Sequence, residues 1–411
     1  MNAQRNQLLR KLRPSRLLAV LFIGYMVFMT PAAFPDLMQH CKDLLRGRIS
    51  CTRFVEAVDS QYGRMLTTED THHSLHNRGT YINLNGRMAG WMRQPQLNQR
   101  VLLKNGHLAQ PEPVSPDPGE LSWAARNVIR FHDLQTASGG KFLFVMAPTQ
   151  ISKFEDLLPV GYYDTANETA DYFLSRLEEA GVPCLDLREE LQKDGISVTD
   201  AFYVTDHHWT PQTGFWAFGK ILDKLADIRA IAPVDPSYTN PDNYTFETHE
   251  HTFLGSSGKR TGIHFAGLDD AILIRPDFET DISVSVPQRD LQLRGSYQEV
   301  CYNTEAVHDY EHPNYYQDNV YGLYGWGDTE ITHWRNETAP EQGKFLLIGD
   351  SFGNIPFSLM SICFSSCDEV DRRFFAEDFA DYYAAYAPDT VILEVNAAMT
   401  LSENTAIAYP G

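Results

Sequence analysis

The sequence predicts an α/β protein built on a parallel sheet. Three apolar runs carry this prediction: KFLFVMA at 141–147, KFLLIG at 344–349 and TVILEVN at 390–396. Runs of this kind are typical of strands that are covered on both faces. Helical patterns accompany them, so the chain alternates strand and helix as βαβ units do. We therefore expect a parallel sheet with its faces buried.

The composition limits the classes of protein to which the chain can belong and the kinds of partner it can bind. The chain has 411 residues, 43% of them hydrophobic and 21% charged, which is typical of a folded globular protein and excludes disordered and collagen-like classes. The net charge of -20 argues against nucleic acid as a partner. The charge is uneven, because residues 1–16 carry five cations and no acid, which leaves -25 on the remainder.

The N-terminal segment has the pattern of a membrane anchor. Nineteen uncharged residues lie between Arg16 and Asp36, close to the length that spans a bilayer. We predict that 1–36 form a cytoplasmic tail and a transmembrane helix, since the basic flank stays inside. A cleaved signal peptide and a buried core helix are the alternatives. Either of the first two interpretations places the rest of the chain outside the cytoplasm, membrane-anchored or secreted.

Residues 37–118 are predicted to be an N-terminal extension. It begins with a juxtamembrane helix from Leu37 to about Gly63 and contains strand-like pieces at Thr80–Leu84 and Arg100–Leu103. A proline-rich linker at 111–118 closes it.

Two α/β segments follow, separated by an insertion. In 119–231 we expect helices at 120–136 and 165–180, strands at 141–147 and 182–187, and a helix capped by Thr210 after the motif TDHHW. Residues 232–340 are rich in Tyr, Asn, Asp, Gly and Pro, with short alternating pieces such as Asp281–Val286, and are predicted to be a β-rich insertion. In 341–411 we expect strands at 344–349, near 369–372 and at 390–396, with an apolar helix and a helix at 376–386 between them.

Candidate catalytic side chains follow the predicted strands. Ser351 comes after FLLIGD, Asn396 ends VILEV, and Asp206 and His208 lie in the loop before a helix. Ligands gather at the carboxyl ends of parallel strands, and a serine there requires a histidine base and an orienting carboxylate. The alternative is that each of these residues only caps a turn.

These motifs together resemble a known family. IGDSFGN, TDHHW and PDTVILEVN are similar to the serine, Asp/His and asparagine blocks of the SGNH (GDSL-type) hydrolases. Here the Asp/His block precedes the serine block, as in the DHHW protein family and the SGNH-like proteins of alginate O-acetylation. MAPTQISKF, FLGSSGKRTG and VDRRFF also resemble that family, so the resemblance covers roughly 115–400. It implies an SGNH-like three-layer sandwich with a circularly rearranged motif order.

The resemblance also implies roles for the motif residues. Ser351 would be the nucleophile, His208 the general base and Asp206 its orienting partner. The Ser351 N–H and the Asn396 side chain would form the oxyanion hole. The spacing Asp-x-His leaves His207 as the alternative base, and V-N-A at 395–397 departs from the usual Gly-x-Asn-Asp block.

Possible substrate-binding residues lie beside the motifs. His207 is within TDHHW, and Lys259 and Arg260 are in SSGKRTG of the insertion. Tyr324 and Trp326 belong to an aromatic segment that precedes the serine strand and is a candidate for stacking on sugars. The alternatives are ordinary packing for the rings and a solvated surface for the cations.

No metal or other cofactor is predicted. Asp206, His207 and His208 offer ligands of the right kind, with three further histidines at 72, 73 and 76. Adjacent histidines in an extended loop point in opposite directions, which weakens such a cluster.

Six cysteines in an exported chain suggest disulfides, although six allow 15 pairings. Cys41 with Cys51 is the favoured pair, and Cys363 and Cys367 are equally suited to be unpaired core residues. The spacing does not match a structural zinc site.

We therefore expect an extracytoplasmic serine-dependent O-acyltransferase, in particular an O-acetyltransferase, or an esterase that acts on a cell-envelope or exported polysaccharide. The family resemblance implies a separate membrane-bound acyltransferase as partner. The alternative is a non-catalytic polysaccharide-binding or assembly factor with the same fold. Mutual hydrogen bonds among Ser351, His208 and Asp206 would favour the enzyme.

Overall fold

The computed structural model of the chain describes residues 78–398. The chain divides into two compact units, Met1–Ile82 and Asn83–Gly411, and the described part of the first unit is a short stretch of helix. The predicted anchor, the juxtamembrane helix and the Cys41–Cys51 pair lie outside the described residues. Within residues 78–398 no helix is long and apolar enough to cross a membrane.

Helices and strands alternate through most of the second unit. The α-helices are α1 Arg78–Trp91, α2 Pro118–Ala137, α3 Ala166–Glu179, α4 Leu187–Asp194, α5 Val198–Ala201, α6 Pro211–Asp227, α7 Ser256–Thr261, α8 Ile263–Ala266, α9 Tyr297–Cys301, α10 Asn354–Cys363 and α11 Phe379–Tyr386. The strands are β1 Gln96–Leu97, β2 Arg100–Leu102, β3 Leu108–Ala109, β4 Lys141–Ala147, β5 Cys184–Asp186, β6 Tyr244–Phe253, β7 Asp269–Pro276, β8 Ile282–Val286, β9 Leu291–Gly295, β10 Ile331–Arg335, β11 Glu341–Ile348, β12 Phe364–Val370 and β13 Thr390–Asn396.

The main sheet is mixed rather than parallel. Its eight strands lie in the order β5-β4-β13-β11-β12-β10-β8-β9. The first five are parallel to one another, as predicted, whereas β10, β8 and β9 continue the sheet in antiparallel pairing. The predicted parallel sheet is therefore confirmed for these five strands, and half-polar strands extend it at one edge by antiparallel pairing.

Residues 232–340, the predicted β-rich insertion, contain the five strands β6 to β10. Its strands β8, β9 and β10 belong to the main sheet, and β6 and β7 form a two-stranded antiparallel hairpin beside it. The remaining strands, β1 to β3, form a small antiparallel sheet.

Each face of the parallel strands carries its own hydrophobic core. Successive side chains of a strand point to opposite faces, so Phe142 and Phe144 of β4 pack with α2, α3 and α11. Leu143 and Val145 pack on the other face with α4, α6 and α10. Helices therefore cover both faces, as the unbroken apolar runs predicted.

Three local predictions are corrected or decided by the structure. Thr80–Leu84, predicted to be strand-like, lies within α1. The strand predicted near 369–372 is β12, which begins at Phe364 and ends at Val370. Cys363 and Cys367 are both buried and unpaired.

The parallel strands bring the predicted site residues to one edge of the sheet. β11 leads into Ser351, β13 ends on Asn396, and β4 leads to Gln150. The TDHHW loop lies between α5 and α6 and reaches the same edge, because His208 contacts Ser351 there.

Candidate active site

Ser351 lies in a tight turn between a strand and a helix. After β11, Gly349 and Asp350 form the turn, and a 3-10 turn at Ser351–Gly353 runs directly into α10. The Asp350 carboxylate accepts a hydrogen bond from the Phe352 N–H at 2.8 Å, as an N-cap. A Cβ at Gly349 would lie 2.8 Å from the Phe357 ring, so the turn accepts only glycine there. The Ser351 hydroxyl is thus presented at a helix start.

A row of hydrogen bonds joins Ser351, His208 and Asp206. The Ser351 Oγ lies 2.7 Å from the His208 Nε2, and the His208 Nδ1 lies 2.5 Å from the Asp206 Oδ1. A carboxylate only accepts hydrogen bonds, so Nδ1 carries the proton and Nε2 of the neutral imidazole accepts from the serine hydroxyl. His208 and Asp206 are both buried. This arrangement is able to remove a proton from Ser351.

Asp206 is held as a carboxylate by groups around it. Burial alone would raise the pKa of Asp206, but the imidazoles of His208 and His207 and the Ser256 N–H hold that pKa well below its usual range. The Ser256 N–H donates to Asp206 Oδ2 at 2.6 Å, and the His208 N–H donates to Oδ1 at 3.1 Å. Asp206 therefore stays ionised and keeps the His208 proton on Nδ1.

The loop that carries Asp206 is fixed from two sides. Gln150, after β4, donates through its Nε2 to the Asp206 carbonyl oxygen at 2.7 Å. Asp269, on β7, accepts from the Val204 and Thr205 N–H groups at 2.8 and 2.7 Å. The hairpin of the insertion thus helps to position the acid, because buried backbone N–H groups require partners.

Tyr321 lies flat against His208. The two rings are stacked with their centroids 3.7 Å apart and 7° between their planes, and the Phe352 ring lies 5.1 Å from the imidazole. Tyr321 is buried, so its ring restricts the imidazole to the plane that faces Ser351. The face of an aromatic ring also favours a cation, so the stack supports an imidazolium.

Two groups near Ser351 are suited to hold an oxyanion. The Ser351 backbone N–H has no hydrogen-bond partner within residues 78–398. The Asn396 side chain lines the same cleft and donates through Nδ2 to the Pro148 carbonyl oxygen at 2.6 Å.

Ser351 opens into a cleft of about 290 Å³ that is rich in cations. Arg100, Arg260 and Arg373 line it together with His207. Arg100 is buried, and this burial, together with the charge of Arg260, lowers the pKa of Arg100 to about 10. Glu112 and Asp164 also line the cleft, and burial raises the pKa of each carboxyl. The cleft therefore offers both cationic and acidic hydrogen-bonding groups.

The structure separates His207 from the hydrogen-bonded row. The His207 Nδ1 lies 2.9 Å from the Ser256 Oγ, and only His208 reaches Ser351. Desolvation in the cleft, with repulsion from His208, lowers the pKa of His207 to about 3. Arg260 lines the cleft as predicted, whereas Lys259 donates to the Asp318 carbonyl oxygen at 2.6 Å and does not line it.

The structure does not bring Tyr324 and Trp326 to the cleft. Tyr324 is buried and donates through its hydroxyl to the Ile272 carbonyl oxygen at 2.7 Å. Trp326 is also buried and donates through Nε1 to the Val300 carbonyl oxygen at 2.9 Å. The prediction that these two rings bind substrate is therefore corrected, because they pack and hydrogen-bond inside the insertion.

Asp206, His207 and His208 place potential metal ligands within 4.8 Å of one another. The same atoms already serve as hydrogen-bond partners, since Asp206 holds His208 and Ser256, and His207 contacts the Ser256 hydroxyl. A bound ion would have to displace the bond that orients His208. The three histidines at 72, 73 and 76 lie outside the described residues.

Sequence reasoning missed several residues that support the site. These are Gln150, Ser256, Asp269, Tyr321 and Arg373. Three of them, Gln150, Ser256 and Arg373, lie in MAPTQISKF, FLGSSGKRTG and VDRRFF, segments that resemble the DHHW family, and that resemblance was the available signal. Asp269 and Tyr321 lie outside these segments.

Comparison with known proteins finds a family match for part of this chain and solved structures that share its fold. Residues 114–236, which include Asp206 and His208, match the family model of the SGNH hydrolase-like domain of the acetyltransferase AlgX. The resemblance predicted from TDHHW and GDSF is therefore confirmed. No curated protein sequence matches the chain.

Solved structures with the same fold include PatB1 of Bacillus cereus. The chain superposes on PatB1 with a TM-score of 0.60 at 17% identity, covering 73% of this chain and 96% of that one. PatB1 with a sulfonyl adduct gives a TM-score of 0.59 at 16% identity, covering 73% and 97%. A DHHW family protein from Eubacterium siraeum gives 0.57 at 17% identity, covering 75% and 94%. At 16–17% sequence identity, these structural similarities establish the fold of the chain.

Proposed function

We propose that the chain is a serine-dependent O-acyltransferase that transfers an acetyl group to hydroxyls of a polysaccharide. Ser351 is the nucleophile, His208 the general base and Asp206 the residue that orients it. The family match to an acetyltransferase domain supports the acetyl group, and the resemblance to the SGNH-like proteins of alginate O-acetylation implies the polysaccharide acceptor. The fold shared with PatB1 and a DHHW protein is consistent with the proposal.

One observation carries the proposal: the 2.7 Å contact between Ser351 Oγ and His208 Nε2, with Asp206 at 2.5 Å behind the imidazole. A serine hydroxyl is a weak nucleophile without an adjacent base. The ionised Asp206 fixes the tautomer that leaves Nε2 free to accept the proton. A residue that merely capped a turn would not require this alignment.

The reaction runs in two steps through an acyl-serine. The Ser351 oxygen attacks the carbonyl carbon of the acyl donor while His208 takes the hydroxyl proton and then returns it to the leaving group. In the second step His208 removes the proton of a sugar hydroxyl, which attacks the acyl-serine and releases Ser351. The Ser351 N–H and the Asn396 amide stabilise the oxyanion of each tetrahedral intermediate. Water in place of the sugar gives the esterase reaction.

We further propose that the reaction takes place outside the cytoplasm on a cell-envelope or exported polysaccharide. The basic flank and the nineteen uncharged residues before Asp36 support this location. A membrane-bound acyltransferase that delivers the acyl group is the partner that the family resemblance implies.

The test is an esterase and transferase assay on the full chain. The purified chain is incubated with p-nitrophenyl acetate, and the Ser351→Ala variant is expected to lose the activity by roughly a thousandfold or more. Ser175→Ala, a half-buried serine on α3, is the matched control and should retain the wild-type rate. A sulfonyl fluoride should also modify Ser351, found by peptide mass spectrometry.

Acceptor dependence separates the two reactions. Acetyl transfer to an added oligosaccharide, faster than release of free acetate, supports the transferase. Release of acetate alone, with no acetylated sugar, would assign the chain as an esterase. Equal rates for the wild type and Ser351→Ala would remove Ser351 as the nucleophile.

A further inference from the structure

Helix α1 buries small residues and exposes large apolar ones, which is the reverse of an ordinary surface helix. Its small residues face the protein, since Gly86 and Ala89 are buried and a Cβ at Gly86 would lie 2.2 Å from the Thr261 carbonyl oxygen. Tyr81 and Ile82 are half-buried, whereas four apolar residues on or directly after the helix are exposed. The exposed fractions are 57% for Leu84, 51% for Met88, 86% for Trp91 and 53% for Met92.

The exposed apolar residues form one stripe. With 3.6 residues per turn, positions 84, 88 and 91 fall within about 60° of one another, on the side opposite Gly86 and Ala89. Met92 follows directly and extends the stripe at the helix end. A contiguous apolar stripe on a soluble surface marks a site that contacts something apolar.

The surroundings of this stripe are basic, although the chain as a whole carries a net charge of -20. Between Asp70 and Glu112 there is no acidic residue, and there are five cations. Two of them, Arg87 and Arg93, are exposed on or directly after α1 and have no ion-pair partner within residues 78–398. Apolar side chains flanked by unpaired arginines are complementary to an anionic lipid surface.

We propose that α1 docks onto the surface of a lipid bilayer that contains anionic lipids. Leu84, Met88, Trp91 and Met92 lie at the boundary between headgroups and acyl chains, where tryptophan is favoured. Arg87 and Arg93 contact the lipid phosphates. The segment predicted to be a membrane anchor precedes this helix in the chain, so the helix would already be near a bilayer.

Docking of α1 has a consequence for the cleft. α1 packs on α7, where Gly86 approaches Thr261 closely, and the Asn98 side chain donates to the Arg260 carbonyl oxygen at 2.7 Å. α7 also supplies Arg260 to the cleft lining and the Ser256 N–H to Asp206. A bilayer that holds α1 therefore holds the mouth of the cleft close to the membrane surface. This inference does not depend on the proposed reaction.

The experiment measures how fast hydroxyl radicals oxidise the stripe in the full chain. The chain is incorporated into phosphatidylcholine vesicles with and without phosphatidylglycerol, and oxidation of Met88, Trp91 and Met92 is measured by mass spectrometry. Trp123 on α2, 45% exposed, is the internal reference. We expect several-fold slower oxidation of the stripe, relative to Trp123, in the vesicles that contain phosphatidylglycerol.

A charge-matched pair of variants tests the role of the arginines. Arg87→Glu with Arg93→Glu should restore fast oxidation of the stripe in the anionic vesicles. Arg126→Glu with Arg130→Glu, exposed on α2, changes the net charge equally and should leave the protection intact. Oxidation of the stripe that is unaffected by phosphatidylglycerol overturns the proposal. If the stripe is protected in native membranes but not in vesicles made of lipid alone, it contacts a membrane protein, and the proposal is also overturned.

Discussion

His207 and His208 are neighbours in the sequence, yet their imidazoles have different partners. The ring of His208 lies between Asp206 and Ser351 and is stacked on Tyr321. The ring of His207 contacts the Ser256 hydroxyl and faces the cleft. The sequence left either histidine as the base, and the geometry favours His208.

Replacement of each histidine by glutamine distinguishes them. His208→Gln should abolish ester hydrolysis, because within residues 78–398 no other side chain hydrogen-bonds the Ser351 hydroxyl. His207→Gln should retain activity with an unchanged pH profile in the neutral range, since a pKa of about 3 keeps His207 neutral there. The measurement is kcat/KM against pH for both variants. A shifted profile for His207→Gln would instead assign the titrating base to His207.

The residues that perform the chemistry were predictable from the sequence, whereas those that support them were not. Ser351, His208 and Asp206 stand in short motifs whose order is specific. Gln150 and Asp269 fix the same loop through backbone groups, which any polar side chain at the right place can do. Such contacts depend on the tertiary fold and leave no local pattern.

At the scale of elements, the start of α7 must approach the TDHHW loop closely. A Cβ on Gly255 would lie 2.3 Å from the Asp206 Cβ. Gly255 has ordinary backbone angles, φ -70° and ψ 178°, so the need for glycine comes from this approach alone. The approach lets the Ser256 N–H reach the Asp206 carboxylate.

Gly255→Ala should therefore push α7 away from Asp206. We expect kcat/KM to fall by at least tenfold, while circular dichroism shows a folded protein. Gly219→Ala on α6 is the control, because its added Cβ would have Thr239 at an ordinary 3.7 Å. Alanine within a helix stabilises it by roughly 0.5–1 kcal/mol relative to glycine, so this control should unfold at a slightly higher temperature. Equal activity of the two variants would contradict the role of the close approach.

Strand β12 carries a glutamate that makes stability depend on pH. Burial raises the pKa of Glu369 from 4.5 to about 8, against the effect of its hydrogen bond from the Trp334 Nε1 at 3.1 Å. Between these values the unfolded chain has lost a proton that the folded chain keeps, so stability falls as pH rises through this window.

Glu369→Gln should remove that slope and still accept the Trp334 hydrogen bond. The variant is expected to gain stability over the wild type as the pH rises from 5 to 8, measured by urea unfolding at each pH. Glu279→Gln, an exposed carboxylate, should show no such gain. A constant difference at every pH would mean that Glu369 ionises equally in both states.

The predictions of strands were correct where the sequence is strongly apolar. β4, the second half of β11 and most of β13 are strongly apolar and are covered by helices on both sides, so their sequence alone indicates a buried strand. β8 alternates apolar and polar residues and β10 mixes them, which is consistent with a strand but does not identify its partner. α1 was predicted in part as a strand because its apolar residues do not face the protein.

At the scale of the whole molecule, the insertion and the parallel strands share one sheet. β10 is paired with β12 on one side and with β8 on the other. A sheet of this kind unfolds cooperatively, because removing its edge strands exposes the hydrogen bonds of the next.

The antiparallel strands should therefore unfold together with the parallel ones. Hydrogen exchange in increasing urea, followed by mass spectrometry of the full chain, should show β8 and β10 losing protection at the same urea concentration as β4 and β11. An insertion that folded separately would lose protection at its own midpoint. That outcome would support independent domain boundaries at 232 and 340.

The strand order also determines when the protein becomes able to fold during its synthesis. β13 is the last described strand in the chain, yet it lies between β4 and β11 in the middle of the sheet. Until residues 390–396 have emerged from the ribosome, β4 and β11 each present an open apolar edge, and such edges promote aggregation. Chaperones that shield the unfolded chain would therefore be needed until β13 is available to pair, and a truncation before β13 should yield insoluble protein.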